Sequence, residues 1–292
     1  MTASLLVFGR DGQVAAEIGR LSGSDLCVER LGRDRADLAD PDACARAVRE
    51  TSADVIVNAA AYTAVDRAEE EEALAMRVNA EAPGAMAEAA AARGTPFLHI
   101  STDYVFPGHG DRPWREDDPT DPLGAYGRSK RAGEEAVAAA GGPHVVLRTS
   151  WVFAGHGSNF VRTMLRVGSD RPRLTVVDDQ IGGPTAACDI AATLVGIARA
   201  FVEGRGVSGV FHYSGAPAVS WRAFAEEIFA RSGRATIPEV APIRSEDWPT
   251  PAPRPRNSAL DCSRIASTYG VAQPDWRAAL DAALVELGEG RQ

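Results

Sequence analysis

A chain of 292 residues, 45% of them hydrophobic and 24% charged, has the composition of an ordinary globular protein and the length of two domains or one large one. Its 31 Lys and Arg against 40 Asp and Glu leave a net charge of −9, which removes the overall electrostatic case for binding nucleic acid or an anionic membrane. Cys27, Cys44, Cys188 and Cys262 form no C-x-x-C or metal-finger pattern, and the five histidines show no ligand spacing, so no metal site is expected. No stretch of about 18 apolar residues occurs and no basic leader precedes the first apolar run, so the expectation is a cytoplasmic protein without a membrane anchor.

Short apolar runs at 4–8, 25–28, 55–57, 97–100 and 145–147 read as strands. Between them, amphipathic Ala-rich runs at 13–21, 41–51, 72–93 and 126–140 read as helices, with Asp40 and Pro41 as N-cap and first residue of the second. Alternation of this kind predicts an α/β fold: a Rossmann-type doubly wound parallel sheet whose ligands sit at the carboxyl ends of the strands. After Trp151 the regularity gives way to Gly- and Pro-rich loops, with helices near 160–167, 185–202 and 221–232. Residues 1–150 are therefore expected to form a dinucleotide-binding domain and 151–292 a smaller, loop-rich substrate lobe, with interleaving of segments allowed.

Directly after the first strand stands Gly9-Arg10-Asp11-Gly12-Gln13-Val14-Ala15, a G-x-x-G-x-x-A run that opens a helix. The glycines let the backbone turn tightly against a pyrophosphate, whose charge suits the free N–H groups of the helix start. At the end of the second strand Glu29 could hold a ribose diol, favouring NADH, whereas Arg30, Arg33 and Arg35 could hold a 2′-phosphate, favouring NADPH. The residues point both ways.

The strongest chemical signal is Tyr126-Gly127-Arg128-Ser129-Lys130, because the four-residue spacing puts Tyr and Lys on one helix face. Reduction of a ketone by hydride needs a proton donor beside the carbonyl oxygen, and a phenol with pKa near 10 is a poor partner at neutrality. Lowering it by about three units takes roughly 4 kcal/mol. An ammonium about 4 Å away supplies that much at an effective dielectric near 20, so Lys130 is expected to acidify Tyr126. Ser101-Thr102-Asp103-Tyr104-Val105-Phe106 closes the fourth strand, where the Thr102 hydroxyl could orient the same carbonyl.

These runs occur in order with Val57-Asn58-Ala59-Ala60-Ala61-Tyr62-Thr63, Arg148-Thr149-Ser150-Trp151-Val152-Phe153 and Arg254-Pro255-Arg256-Asn257-Ser258. Together they resemble the dTDP-4-dehydrorhamnose reductase family of extended short-chain dehydrogenase/reductases, from Leu5 to about Trp276. The resemblance implies reduction of the C4 ketone of dTDP-4-dehydro-β-L-rhamnose by NADPH or NADH, with Tyr126, Lys130 and Thr102 catalytic. It places the dinucleotide on Gly12, Gln13, Val14, Asp37, Leu38, Ala61, Tyr62 and Thr63 as well as Lys130, to which the residues themselves add Gly9, Arg30, Ala59 and Tyr126 as candidates. The dTDP-4-keto-deoxysugar falls on Thr102, Asp103, Tyr104, Trp151, Asn159 and Arg256. Some relatives dimerise through Mg²⁺ held by two glutamates. Glu17 matches the first, but Cys188 stands in place of the second, so a monomer or a weak, metal-free homodimer is expected. Alternatives of the same fold are a 4-ketoreductase for another dTDP-deoxysugar and a non-catalytic regulatory subunit. A dehydratase is disfavoured, because Tyr104 stands where an acid would be needed.

Overall fold

A computed structural model of the chain describes residues 2–290, so the last two residues of the lobe expected over 151–292 lie outside the described residues. The first half builds β1 (Ala3–Phe8), α1 (Gln13–Arg20), β2 (Leu26–Leu31), α2 (Pro41–Glu50), β3 (Val55–Asn58), α3 (Glu72–Met76), a π turn over Arg77–Glu81, α4 (Ala82–Ala91), β4 (Phe97–Thr102), α5 (Ala125–Ala139) and β5 (His144–Thr149). The second half adds β6 (Val152–Phe153), α6 (Phe160–Asp170), β7 (Arg173–Val177), β8 (Ile181–Gly182), β9 (Thr185–Ala186), α7 (Ala187–Val202) and β10 (Gly209–His212). It ends with β11 (Val219–Ser220), α8 (Trp221–Arg231), β12 (Glu239–Ile243), α9 (Ser263–Tyr269) and α10 (Trp276–Glu286). Asp40 caps α2 as expected, accepting from the Ala43 N–H at 3.0 Å ahead of Pro41.

Six strands form one parallel sheet in the order β10-β5-β4-β3-β1-β2. Residue alternation decides what each face buries. Leu5, Val7, Val57, Leu98 and Leu147 pack with α1 and α7, while Leu6, Phe8, Ile56, Phe97 and Val146 pack with α2, α4 and α5. The strand order reverses between β1 and β3, which opens a crevice at their carboxyl ends. β10, which no apolar run in the sequence announces, pairs with β5, and α7 packs beside α1, so residues 187–212 return to the sheet. A separate core of Phe153, Leu165, Leu174, Phe224, Val240 and Trp276 fills the second lobe around the β7–β12 pair.

The single helix expected over 72–93 is instead broken by the π turn. Buried Asn79 explains the break: its Oδ1 accepts from the Tyr62 N–H at 2.8 Å, and its Nδ2 donates to the Tyr62 carbonyl and to Ser129 Oγ at 3.1 and 3.0 Å. The backbone carbonyl of Asn79 lies against Gly133 of α5, where a side chain would collide with it. A residue inserted into the helix thus ties the loop after β3 to the helix that carries Tyr126.

Candidate active site

The loop between β1 and α1 has the shape of a phosphate cradle. Gly9 adopts φ +105°, open only to glycine without strain, and a Cβ there would stand 3.1 Å from the Ala60 nitrogen and 3.2 Å from the Ala59 carbonyl carbon. Gly12 caps α1 without a side-chain hydrogen bond, leaving the helix's first N–H groups to a ligand. The residues present fit a dinucleotide pyrophosphate. Gln13 and Val14 begin α1, and half-buried Ala59, Ala61 and Tyr62 line the opposite side of the crevice beside exposed Thr63. Leu38 is buried, and Asp37 Oδ1 accepts from the Ala39 N–H at 2.9 Å, so both shape the turn after β2.

At the end of β2 the two residue sets separate. Glu29 pairs with Arg35 at 2.6 Å in a recess shared with Arg46 and Glu50 of α2, so neither is a free ribose or phosphate ligand. Arg30 turns toward α1, packing against Gly19 and donating to the Arg10 carbonyl at 3.1 Å. Arg10, unmarked by any motif role in the sequence, crosses Gly32 to meet Asp34 at 3.1 Å. Glycine at both positions of contact makes room for these guanidinium groups.

Gly127 sets the catalytic cluster. Its Cα lies against the Tyr104 carbonyl so closely that any side chain would collide, which brings the start of α5 onto the end of β4. Thr102 Oγ1 accepts from the Tyr104 N–H at 3.2 Å and donates to Asp103 Oδ1 at 2.9 Å. Tyr126 packs edge-on against Tyr104, with ring centroids 5.7 Å apart, beside the Thr102 end of β4. Burial pushes the Tyr126 phenol up to about 12, against a smaller opposing effect of the Thr102 hydrogen bond. Burial likewise raises Asp103 to about 7, and its Oδ2 is buried without a hydrogen-bond partner.

Lys130 corrects the expectation drawn from spacing. Its Nζ donates to the Ile100 carbonyl at 2.7 Å and lies 3.2 Å from His99 Nε2, with only 2% of the residue exposed. Burial lowers it to about 8, with Glu134 opposing. Its head group is drawn to the strand backbone rather than to the phenol, which burial raises. Buried His99, which meets Lys130, and Asn58, which meets His99, carry no motif signal of their own, although Asn58 stands in the run after the third strand and His99 one residue from the fourth strand's expected end.

The substrate candidates divide. Trp151 holds φ +46°, an unusual backbone for a bulky residue, and stacks on Trp221 with centroids 3.4 Å apart and planes 6° from parallel. One face of its indole is therefore already covered. Asn159 caps α6 and donates to Gln13 Oε1 at 2.8 Å and the Ala154 and His156 carbonyls, so it joins the second lobe to α1. A cavity of about 570 Å³ lies between the loop after β3 and the second lobe, walled by Asp66, Phe160, Trp221, Trp248 and Arg254. Arg254 lines it, paired with Asp66 at 2.9 Å; exposed Arg256 does not line it. Arg256 helps, after Ser245 and against desolvation, to hold Asp179 below the usual carboxylate range.

Glu17 and Cys188 do not fit Mg²⁺. Glu17 Oε1 is taken by His156 at 2.6 Å and Arg20 at 3.0 Å, and burial pushes the Cys188 thiol up to about 11. Among the described residues, no helix is long and apolar enough to cross a membrane.

A parallel sheet with its crevice at the β1/β3 reversal, a glycine cradle there, and a Tyr-Thr pair at the end of β4 define a Rossmann-type, nicotinamide-dependent oxidoreductase of the short-chain dehydrogenase/reductase class. Residues 3–288 match the family model described as the RmlD substrate binding domain, and the chain belongs to that family. It is 43% identical over 276 residues to a dTDP-4-dehydrorhamnose reductase of Sinorhizobium fredii, covering 93% of each chain. Its fold is similar to a dTDP-4-dehydrorhamnose reductase structure from Clostridium acetobutylicum, with TM-score 0.90, 35% identity, and 98% and 99% of the two chains covered. A Bacillus anthracis structure of the same description, in complex with NADP, gives TM-score 0.91 at 30% identity over 98% and 100% of the chains.

Proposed function

We propose that the protein reduces the C4 ketone of dTDP-4-dehydro-β-L-rhamnose with NADPH or NADH, giving dTDP-L-rhamnose. The observation that carries this reading is the protonated Tyr126 phenol against Thr102 at the carboxyl end of β4, beside the Gly9 and Gly12 cradle. The names of the relatives at 43% and 35% identity supply the sugar nucleotide.

Gly9, Gly12, Gln13 and Val14 would receive the pyrophosphate, with Ala59, Ala61, Tyr62 and Thr63 across the crevice. A nicotinamide held there would supply the hydride for the carbonyl carbon. Tyr126, protonated throughout the neutral range, gives its proton to the carbonyl oxygen. Thr102 orients that oxygen by turning its hydroxyl from Asp103, a turn made easier when Asp103 holds the proton and can itself donate to Thr102. Lys130, fixed by Ile100, holds cofactor ribose and, when charged, favours the phenolate that Tyr126 leaves. The sugar nucleotide takes the cavity between lobes, with Trp221 and Phe160 as an apolar wall and Arg254 toward its diphosphate. The chain from 151 onward, less the 187–212 return to the sheet, forms the substrate lobe. Supplying the purified protein with dTDP-4-dehydro-L-rhamnose and NADPH, following nicotinamide absorbance and identifying the sugar by NMR tests the reading; cofactor that stays reduced contradicts it.

A further inference from the structure

Behind the catalytic helix runs a closed chain of hydrogen bonds whose donors can be counted. The Ala60 N–H donates to Asn58 Oδ1 at 3.1 Å, which fixes the Asn58 amide with its Nδ2 toward His99 Nδ1, also at 3.1 Å. Nδ2 carries only hydrogens, so His99 Nδ1 accepts, and the one proton of a neutral imidazole sits on Nε2. That proton points at Lys130 Nζ, 3.2 Å away. Lys130 satisfies it only as an amine, accepting from His99 with its lone pair while donating to Ile100 at 2.7 Å. An ammonium at this place meets a second donor, or forces the imidazole or the amide to turn and move the same clash to Asn58 or Ala60. Asn58 and His99 are fully buried, so no water relieves it.

We infer that His99 is a positioning residue that, oriented by Asn58, sets how readily Lys130 takes up a proton, and so where the reductase loses activity as pH rises. The inference deepens the proposed reductase reading, in which charged Lys130 supports the Tyr126 phenolate. Of the other charged or titratable groups on the elements packed here, Glu134 acts on Lys130 directly, Tyr126 shares its helix α5, Asp103 follows β4, and Arg148 lies on β5, paired with β4. Glu134 favours the ammonium, but Arg148 binds it in two hydrogen bonds of 2.9 and 2.7 Å, with Arg131 3.6 Å away. The lowered proton affinity of Lys130 and the suppressed basicity of His99 agree with this placement of the protons.

Asn58→Asp replaces the fixed donor with an acceptor, which moves the imidazole proton to Nδ1 and turns Nε2 into an acceptor for the ammonium. The alkaline limb of kcat/KM is then expected to move up by about one pH unit or more. His99→Gln keeps an acceptor toward Asn58 and a donor toward Lys130, so its limb is expected to stay with that of the wild type, whereas His99→Phe, which keeps the ring volume, is expected to shift it. Nitrogen-15 NMR of His99 in the resting protein reads the tautomer, and the Lys130 Cε shift reads its titration, without any substrate. A proton found on Nδ1 in the wild type overturns the inference, as does an Asn58→Asp variant whose tautomer and limb are both unmoved. If Asn58→Asp does not fold, the wild-type tautomer decides alone. Absence of turnover with the expected tautomer overturns the reductase reading and leaves the Lys130 titration to judge this one.

Discussion

Tyr126 and Lys130 leave α5 one helical turn apart, yet they end in different places: the phenol ring against the edge of Tyr104, and the lysine nitrogen 2.7 Å from the Ile100 carbonyl. In the proposed reaction the pair is therefore two devices on one helix face: Tyr126 gives a proton that burial keeps in place, and Lys130 is a buried amine whose charge depends on its neighbours.

Replacing Tyr126 by Phe keeps the edge contact with Tyr104 but removes the proton donor. Turnover is expected to fall at least ~10²-fold, the low end for general acid catalysis. NADPH affinity, measured by fluorescence titration, is expected to hold. Unchanged turnover in this variant would mean that the proton comes from elsewhere.

Asp103 links pH to stability. Its carboxyl holds its proton to about pH 7 in the folded chain, against an ordinary value of 3.8. Between those values the folded state binds more protons than the unfolded state. Its contribution is therefore full below about pH 4 and is lost as pH rises through 7, by up to roughly 4 kcal/mol over about three units. Asp103→Asn removes this dependence. Urea unfolding at several pH values should show a flatter difference profile for the variant; parallel profiles would assign the titration to another group.

The Arg10–Asp34 pair crosses Gly32, directly after β2, the strand end at which the adenosine ribose of a cradle-bound dinucleotide would lie in a fold of this kind. Arg10→Ala is expected to raise KM for NADPH by about tenfold relative to NADH, because a guanidinium suits a 2′-phosphate and a diol does not need it. Equal changes for both cofactors would remove Arg10 from discrimination.

Much of the sheet and of the candidate site was legible in the amino-acid sequence. Five strands lie within three residues of their expected ends, because a parallel sheet buried on both faces writes itself as short apolar runs. The Gly9 and Gly12 cradle and the Tyr126 spacing were also readable, since each is local. β10 was not: Gly209-Val210-Phe211-His212 is four residues long and owes its pairing to β5, more than sixty residues earlier. The direction of Lys130, the Arg10–Asp34 pair and the use of Asn159 as a cap depend in the same way on which backbone atoms the fold brings near. Asn79 left a faint trace, a polar residue inside an Ala-rich helix, where its side chain favours local backbone bonds over the helix.

That trace gives a further expectation. Asn79→Ala strands the Tyr62 N–H and leaves Ser129 without a partner from the π turn. The cost is about 1–3 kcal/mol by urea unfolding, accompanied by a raised KM for the cofactor through the loop at 61–63. A stability loss with cofactor KM unchanged would confine Asn79 to the fold.

The central claim is direct hydride delivery to the ketone beside Tyr126. NADPH carrying deuterium at the transferred position of the nicotinamide, incubated with dTDP-4-dehydro-L-rhamnose, should yield a dTDP-sugar with one deuterium at C4 and none elsewhere, and with Tyr126→Phe that product should form at least ~10²-fold more slowly. A product labelled at another carbon, or one without the label, would contradict the account.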